Sequence, residues 1–198
     1  MTSPATSALW KMRDIDSALG EDLARGTGQP PLVGRLLAAR EVKSVQDATS
    51  FLQPDFGGLH DPSLLPGMAL ATARLVKAIE DGETILIHGD YDVDGTTGTS
   101  ILVRLLRHLD AKVAWHIPNR FTDGYAFGDH SIRKAQETGA TLVISVDNGT
   151  SSLETITELK ELGIDTIVTD HHEPPTGALP PAVAIVNPKL HDSEYPFR

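Results

Sequence analysis

The chain has 198 residues, 40% of them hydrophobic, a net charge of −10 and no cysteine. That excludes a disulfide framework and thiolate metal sites, disfavours a protein that coats nucleic acid through a basic surface, and leaves no apolar run of about 18 residues for a membrane span. The N-terminus lacks a basic start followed by an apolar stretch, so no signal peptide is expected and a cytoplasmic location fits.

Residues 1–30 are polar and broken by Gly26, Gly28, Pro30 and Pro31, which reads as a leader with one short helix near 16–24. Two short helices are predicted at 32–39 and 45–52, the second capped by Ser44 with Asp47. A loop rich in Pro, Gly and Asp fills 53–67. Leu70, Ala73, Val76 and Ile79 then recur at helical spacing over 69–80. From Thr84 the pattern alternates. Strands are predicted at 84–88, 112–117, 141–146, 165–169 and 183–186, with helices at 97–109, 130–137 and 153–162. Gly139 and Gly163 stand where helix C-caps belong, and Ser151 with Glu154 has the spacing of a capping box. The expected fold class is α/β, a parallel sheet with helices on both faces, preceded by a small helical N-terminal segment. The expected division is a leader with short helices over 1–68 and an α/β domain over 69–198.

The most informative segment is Ile85–Gly95, where Asp90, Asp92 and Asp94 alternate directly after an apolar run and His88 stands just ahead. Carboxylates this close repel one another unless cations sit between them. An EF-hand loop shares the spacing and the glycine, Gly95. It fails because position twelve is Ile101 and because the preceding segment reads as a strand rather than a helix.

In open parallel sheets ligands bind beyond the carboxyl ends of the strands. Asp147 follows the predicted third strand, and Asp170, His171 and His172 follow the fourth. Three groups of hard-metal ligands therefore leave one sheet edge. Oxygen-rich sets of this kind suit Mn²⁺, Mg²⁺ or Zn²⁺, with the harder ions favoured. Four or more aspartates exceed the charge of one divalent ion, so two ions are expected, bridged by Asp147. Of the adjacent histidines, one would bind metal and the other would contact a phosphate or donate a proton. Gly95 and Thr96, at the start of the following helix, offer close approach and amide donors for an anion, with plain N-capping as the alternative. Arg120 stands in a loop from which it could reach a phosphate. His60, His108, His116, His130 and His191 have no such company and receive no role.

Gly89-Asp-Tyr-Asp-Val-Asp-Gly95, Ser145-Val-Asp-Asn-Gly149 and Asp170-His-His172 resemble the first three motifs of the DHH phosphoesterases. The wording of the first motif, Asn187-Pro-Lys189 and Tyr195-Pro-Phe197 are similar to the RecJ exonuclease branch, from about Leu36 onward. The resemblance implies a 5′→3′ exonuclease specific for single-stranded DNA that uses two Mn²⁺ or Mg²⁺ ions, releases nucleoside 5′-monophosphates and acts in recombination and repair. It implies Asp92, Asp94, Asp147 and His171 as metal ligands, Asp90 as a ligand or a support of the ligands, and His172 beside the scissile phosphate, with Asp94 also counted among the catalytic residues. His88 resembles a ligand of the manganese pyrophosphatase branch.

The family's fourth motif, with a further metal-binding Asp, and its second domain lie beyond these 198 residues. The resemblance therefore reads the chain as the amino-terminal part of a longer or split polypeptide. Its implied partners are single-stranded DNA, that carboxy-terminal part and single-strand-binding protein, with no membrane. Two other readings share the motifs: a DHH phosphatase acting on oligoribonucleotides, cyclic dinucleotides or pyrophosphate, and a non-catalytic scaffold.

Overall fold

The computed structural model describes residues 13–123 and 127–197. The first 12 residues of the expected leader, and residues 124–126 of the loop that carries Arg120, lie outside the described residues. Two compact units emerge, Met1–Leu59 and His60–Arg198.

In the first unit, α1 (Ser17–Thr27), α2 (Pro31–Ala39) and α3 (Val45–Leu52) enclose Leu23, Leu37 and Ala48. Asp16 caps α1 through the Leu19 amide, and the expected Ser44–Asp47 pair caps α3, with Ser44 Oγ accepting from the Asp47 amide at 3.0 Å. The α1–α2 crossing depends on Gly34, because a Cβ there would stand 2.1 Å from the Gly20 carbonyl oxygen.

A 3-10 turn at Phe56–Gly58 ends the first unit and another at Pro62–Leu64 opens the second, both inside the expected loop. The second unit then runs α4 (Met68–Glu80), β1 (Thr84–Gly89), α5 (Val93–His108), β2 (Lys112–His116), α6 (Asp129–Thr138), β3 (Leu142–Val146), α7 (Leu153–Glu161), β4 (Asp165–Thr169) and β5 (Ala184–Val186). All five strands are parallel, in the order β2-β1-β3-β4-β5. Strand side chains alternate between faces. Ile85 and Ile87 therefore pack with Ala71 and Ala78 of α4 and Val103 and Leu106 of α5, while Leu86 packs with Ile132 and Ala135 of α6 and Ile156 and Leu159 of α7. Both faces are covered, which is why the strands read as continuous apolar runs. Among the described residues, no helix is long and apolar enough to cross a membrane.

At the amino end of the strands, Arg74 of α4 bonds Glu83 at 2.7 Å and Asp165 at 2.6 Å, and Thr141 Oγ1 donates to Glu83. Two expectations need correction. Helix α5 begins at Val93, four residues ahead of the expected 97, because the Asp92 side chain caps it. Helix α7 has Ser152 as N-cap with no side-chain cap bond, so the Ser151–Glu154 capping box does not form.

Candidate metal centre

Strand register sets the site. Gly89, Val146, Thr169 and Val186 are Cα partners across β1, β3, β4 and β5, so the four strands end level. The residues that follow are Asp90, Asp147, Asp170 and Asn187. The ladder extends one step further, with the Asp147 amide donating to the Thr169 carbonyl and the Asp170 amide to the Val186 carbonyl. The sheet order reverses about β1, with β2 on one side and β3 on the other, and such a switch point opens a crevice at the carboxyl ends.

Asp90 is buried and its Oδ1 accepts from the Tyr91 amide at 2.7 Å. Asp92 turns its Oδ1 to the amides of Asp94 and Gly95, at 3.0 and 3.1 Å. Gly95 is required here, since a Cβ would fall 2.5 Å from the Asp90 backbone nitrogen and oxygen. Asp147 holds a left-handed backbone (φ 64°), which aspartate tolerates better than most residues. Its turn is closed by Ser145 Oγ donating to the Asn148 carbonyl at 2.8 Å.

Asp147 is the electrostatic centre of this edge. Burial, reinforced by the neighbouring Asp92 carboxylate, pushes its pKa up to about 6. Asp92 moves the other way, held below the usual carboxylate range chiefly by the Gly95 amide. His171 Nε2 stands 2.9 Å from Asp147 Oδ1 without the alignment of a hydrogen bond, and Oδ1 is buried with no hydrogen-bonding partner. A buried carboxylate oxygen left in this state fits a cation ligand.

Asp170 plays a different part. Its Oδ2 accepts from the Thr150 amide at 2.9 Å, and its Oδ1 accepts from the amides of His171 and His172 at 2.8 and 3.1 Å and pairs with His172 Nδ1 at 2.8 Å. Burial raises its pKa, but the bonds from Thr150 and His172 outweigh that and hold it low. The carboxylate raises the His172 pKa in return. Buried Asn187 braces the same turn, donating to Thr150 Oγ1 at 3.0 Å and to the His172 carbonyl at 2.9 Å.

Two sets of ligand atoms converge within 4.8 Å: Asp90, Asp92 and Asp147, and Asp147, His171 and His172. Asp147 is common to both, the position expected of a bridging carboxylate. Four other expected site residues, Asp90, Asp92, His171 and His172, thus come together around it.

The others are placed differently. Asp94 is exposed in the first turn of α5 and belongs to neither set. The Gly95 and Thr96 amides are already bonded to Asp92, and Thr96 Oγ1 donates to the Asp92 carbonyl at 2.7 Å, so these groups are not open donors for an anion. Arg120 lies with its guanidinium carbon 4.9 Å from the Tyr91 ring centroid, beside the first aspartate loop. His88 is not drawn to the carboxylates. Alternation along β1 turns it to the Leu86 face, where it sits fully buried with His116, Phe127 and His130, and burial lowers its pKa to about 3. The orienting roles of Asp170 and Asn187 were not anticipated, although both are the first residue past a predicted strand, the position that Asp147 also holds.

The chain matches the DHH family, N-terminal domain, over residues 84–194. It is 38% identical over 194 residues to the single-stranded-DNA-specific exonuclease RecJ of Bacillus subtilis, covering 98% of this chain and 25% of that protein. With RecJ of Escherichia coli it shares 39% identity over 170 residues, 85% of this chain and 29% of that one. It therefore spans about a quarter of the length of these curated relatives. Among solved structures, an exonuclease RecJ bound to manganese matches with 41% identity and a TM-score of 0.60, over 65% of this chain and 32% of that one. RecJ of Thermus thermophilus in complex with Mn²⁺ matches with 31% identity and a TM-score of 0.63, over 89% and 24%. With its three acidic and histidine motifs on one edge of a five-stranded parallel sheet, the chain belongs to the DHH family.

Proposed function

We propose that this chain is the metal-binding amino-terminal portion of a single-strand-specific DNA exonuclease, hydrolysing phosphodiester bonds from the 5′ end with two Mn²⁺ or Mg²⁺ ions and releasing nucleoside 5′-monophosphates. The observation that carries the reading is the sharing of Asp147 between two converging ligand sets, with its buried Oδ1 lacking any hydrogen-bonding partner. Asp90 and Asp92 would complete one ion site, and His171 and His172 would face the other. Asp94, one turn into α5, would join through a rotamer change of its exposed side chain. Bound ions would supply a hydroxide nucleophile at neutral pH and charge stabilisation of the phosphorane-like transition state.

The chain's own residues do the positioning. Asp92 ties the first loop to the start of α5, so the carboxylates keep their spacing without metal. Asp170 anchors His172 Nδ1 and favours the imidazolium, leaving Nε2 to hold a phosphate oxygen or to protonate the leaving oxygen. Arg120, steadied on Tyr91, offers a cation to the DNA backbone next to the first loop. The working unit is residues 69–198, the partners are single-stranded DNA, single-strand-binding protein and the carboxy-terminal part of a RecJ-like polypeptide, and the location is cytoplasmic.

Calorimetric titration with Mn²⁺ tests the reading. Binding that Asp147→Ala abolishes is expected, and binding indifferent to Asp147→Ala overturns it. A second assay compares mononucleotide release from long single strands with turnover of dinucleotides. Preference for dinucleotides would replace the exonuclease by a small-substrate phosphatase.

A further inference from the structure

The opposite face of β1 carries a second convergence that the nuclease reading does not use. Parallel register pairs His88 of β1 with His116 of β2, which turns both rings to one face of the sheet. His130, in the first turn of α6, closes the triangle from above. The ring centroids stand 5.2 Å (His88–His116), 5.4 Å (His88–His130) and 5.5 Å (His116–His130) apart. One ligand nitrogen from each ring lies within 4.8 Å of the others.

Three nitrogens of this cluster are buried without a hydrogen-bonding partner: Nδ1 of His88, Nε2 of His116 and Nε2 of His130. Buried polar atoms are ordinarily satisfied, and three orphans on three neighbouring rings fit a common partner. The remaining nitrogen of His88 is already committed, with Nε2 standing 2.9 Å from Ser131 Oγ, an oxygen that also accepts from the Gly128 amide. A metal-bound imidazole characteristically donates its other N–H to such an oxygen, which fixes the tautomer and frees the facing lone pair. Phe127 lies edge-on to His88 at 4.8 Å and forms an apolar wall.

We propose that His88, His116 and His130 form a second metal site, a three-imidazole clamp for a borderline divalent cation of the Zn²⁺ or Co²⁺ type. Three rings bound to one tetrahedral ion at Zn–N distances near 2 Å would hold their centroids roughly 5 Å apart, close to the triangle observed. An all-nitrogen set selects differently from the carboxylate edge, because imidazole suits Zn²⁺, Co²⁺ and Ni²⁺ whereas carboxylate oxygens suit Mg²⁺ and Mn²⁺. Its ligands come from β1, β2 and α6, so a bound ion fastens α6 to the sheet edge and steadies the strand that runs into Asp90 and Asp92. The role is structural, and the site stands whether or not the nuclease reading does.

The test uses the full chain, stripped with a chelator and held in excess Mg²⁺ so that the carboxylate edge is saturated. Titration with Co²⁺ should give one equivalent of binding with intense visible d–d bands of a tetrahedral type. Asp147→Ala should leave the bands, and His116→Ala should remove them while leaving the Mg²⁺ and Mn²⁺ response of the other edge. Absence of the bands, or bands lost in Asp147→Ala and kept in His116→Ala, overturns the proposal. Should His116→Ala fail to fold by circular dichroism, X-ray absorption of the unaltered Co²⁺-loaded chain decides. Outer-shell scattering from three imidazoles is expected, and an oxygen shell sinks the site.

Discussion

Asp147 and Asp170 leave adjacent strand ends in the same register and meet opposite fates. Asp170 spends both oxygens on four hydrogen bonds, so it holds a turn and orients His172. Asp147 keeps a buried oxygen with no hydrogen-bonding partner, beside the His171 ring and a second carboxylate. Replacing Asp170 by Asn should therefore be costly in a specific way. An amide NH₂ would have to face donors on one side or the other, and a buried donor–donor clash costs about 2–4 kcal/mol. The denaturation midpoint of Asp170→Asn should fall accordingly, and NMR titration should show the His172 pKa dropping once its anionic partner is gone.

The Asp147 carboxyl has the reverse sign. Its folded pKa is raised to about 6 from an ordinary 3.8, so the native metal-free chain binds more protons than the unfolded chain between those values. Stability contributed by this group is then lost as pH rises from 4 towards 6. In metal-free buffer, Asp147→Asn should be more stable than the parent by about 1–2 kcal/mol at pH 7, with the gap closing near pH 4. A urea midpoint series at the two pH values checks this, and an equal gap at both would refute it.

At the level of elements, the strands were legible because apolar runs buried on both faces leave a plain signal, and each predicted strand lies within one residue of its observed bounds. The start of α5 was not legible. Gly95, Thr96, Thr97, Gly98 and Thr99 are poor helix formers, so periodicity shows only from Ile101 onward. Tertiary contact overrides that propensity, because only glycine at 95 lets the first turn press against the Asp90 backbone, and the Asp92 carboxylate caps the early amides. The same geometry answers the anion-site expectation for Gly95 and Thr96, whose amides are taken up inside the loop.

The ion-paired end of the sheet allows a separate test at this scale. Arg74 joins α4 to the entries of β1 and β4 through Glu83 and Asp165, and its side chain is only 14% exposed. Truncation strands two carboxylates, one of them well sheltered. Arg74→Ala should lower unfolding free energy by about 2–3 kcal/mol, less than a fully buried pair because Asp165 reaches solvent. Mn²⁺ affinity should stay unchanged, since the aspartate and histidine cluster around Asp147 lies at the opposite end of the strands. A fall in affinity matching the fall in stability would show that the two ends are coupled.

Taken as a whole molecule, the chain separates two kinds of information. The convergence of aspartates and histidines at one edge could be anticipated because three motifs follow three strands of one parallel sheet, and parallel strands must present their carboxyl ends together. The histidine trio could not, because His116 and His130 stand singly in the sequence and acquire company only through the β1–β2 register and the docking of α6. Metal linkage makes the first of these measurable across the His60–Arg198 unit. A ligand that binds only the native state stabilises it by about 2.7 kcal/mol at a hundredfold excess over its dissociation constant. For a unit of this size that converts to a rise in Tm of roughly 7–11 °C. Saturating Mn²⁺ should produce such a rise in the parent chain, followed by differential scanning calorimetry at pH 7. Asp147→Ala, already relieved of carboxylate repulsion, should start at a higher Tm and gain almost nothing from the ion. If instead both chains climb equally, the cation is acting on the acidic surface at large, and Asp147 is not where it binds.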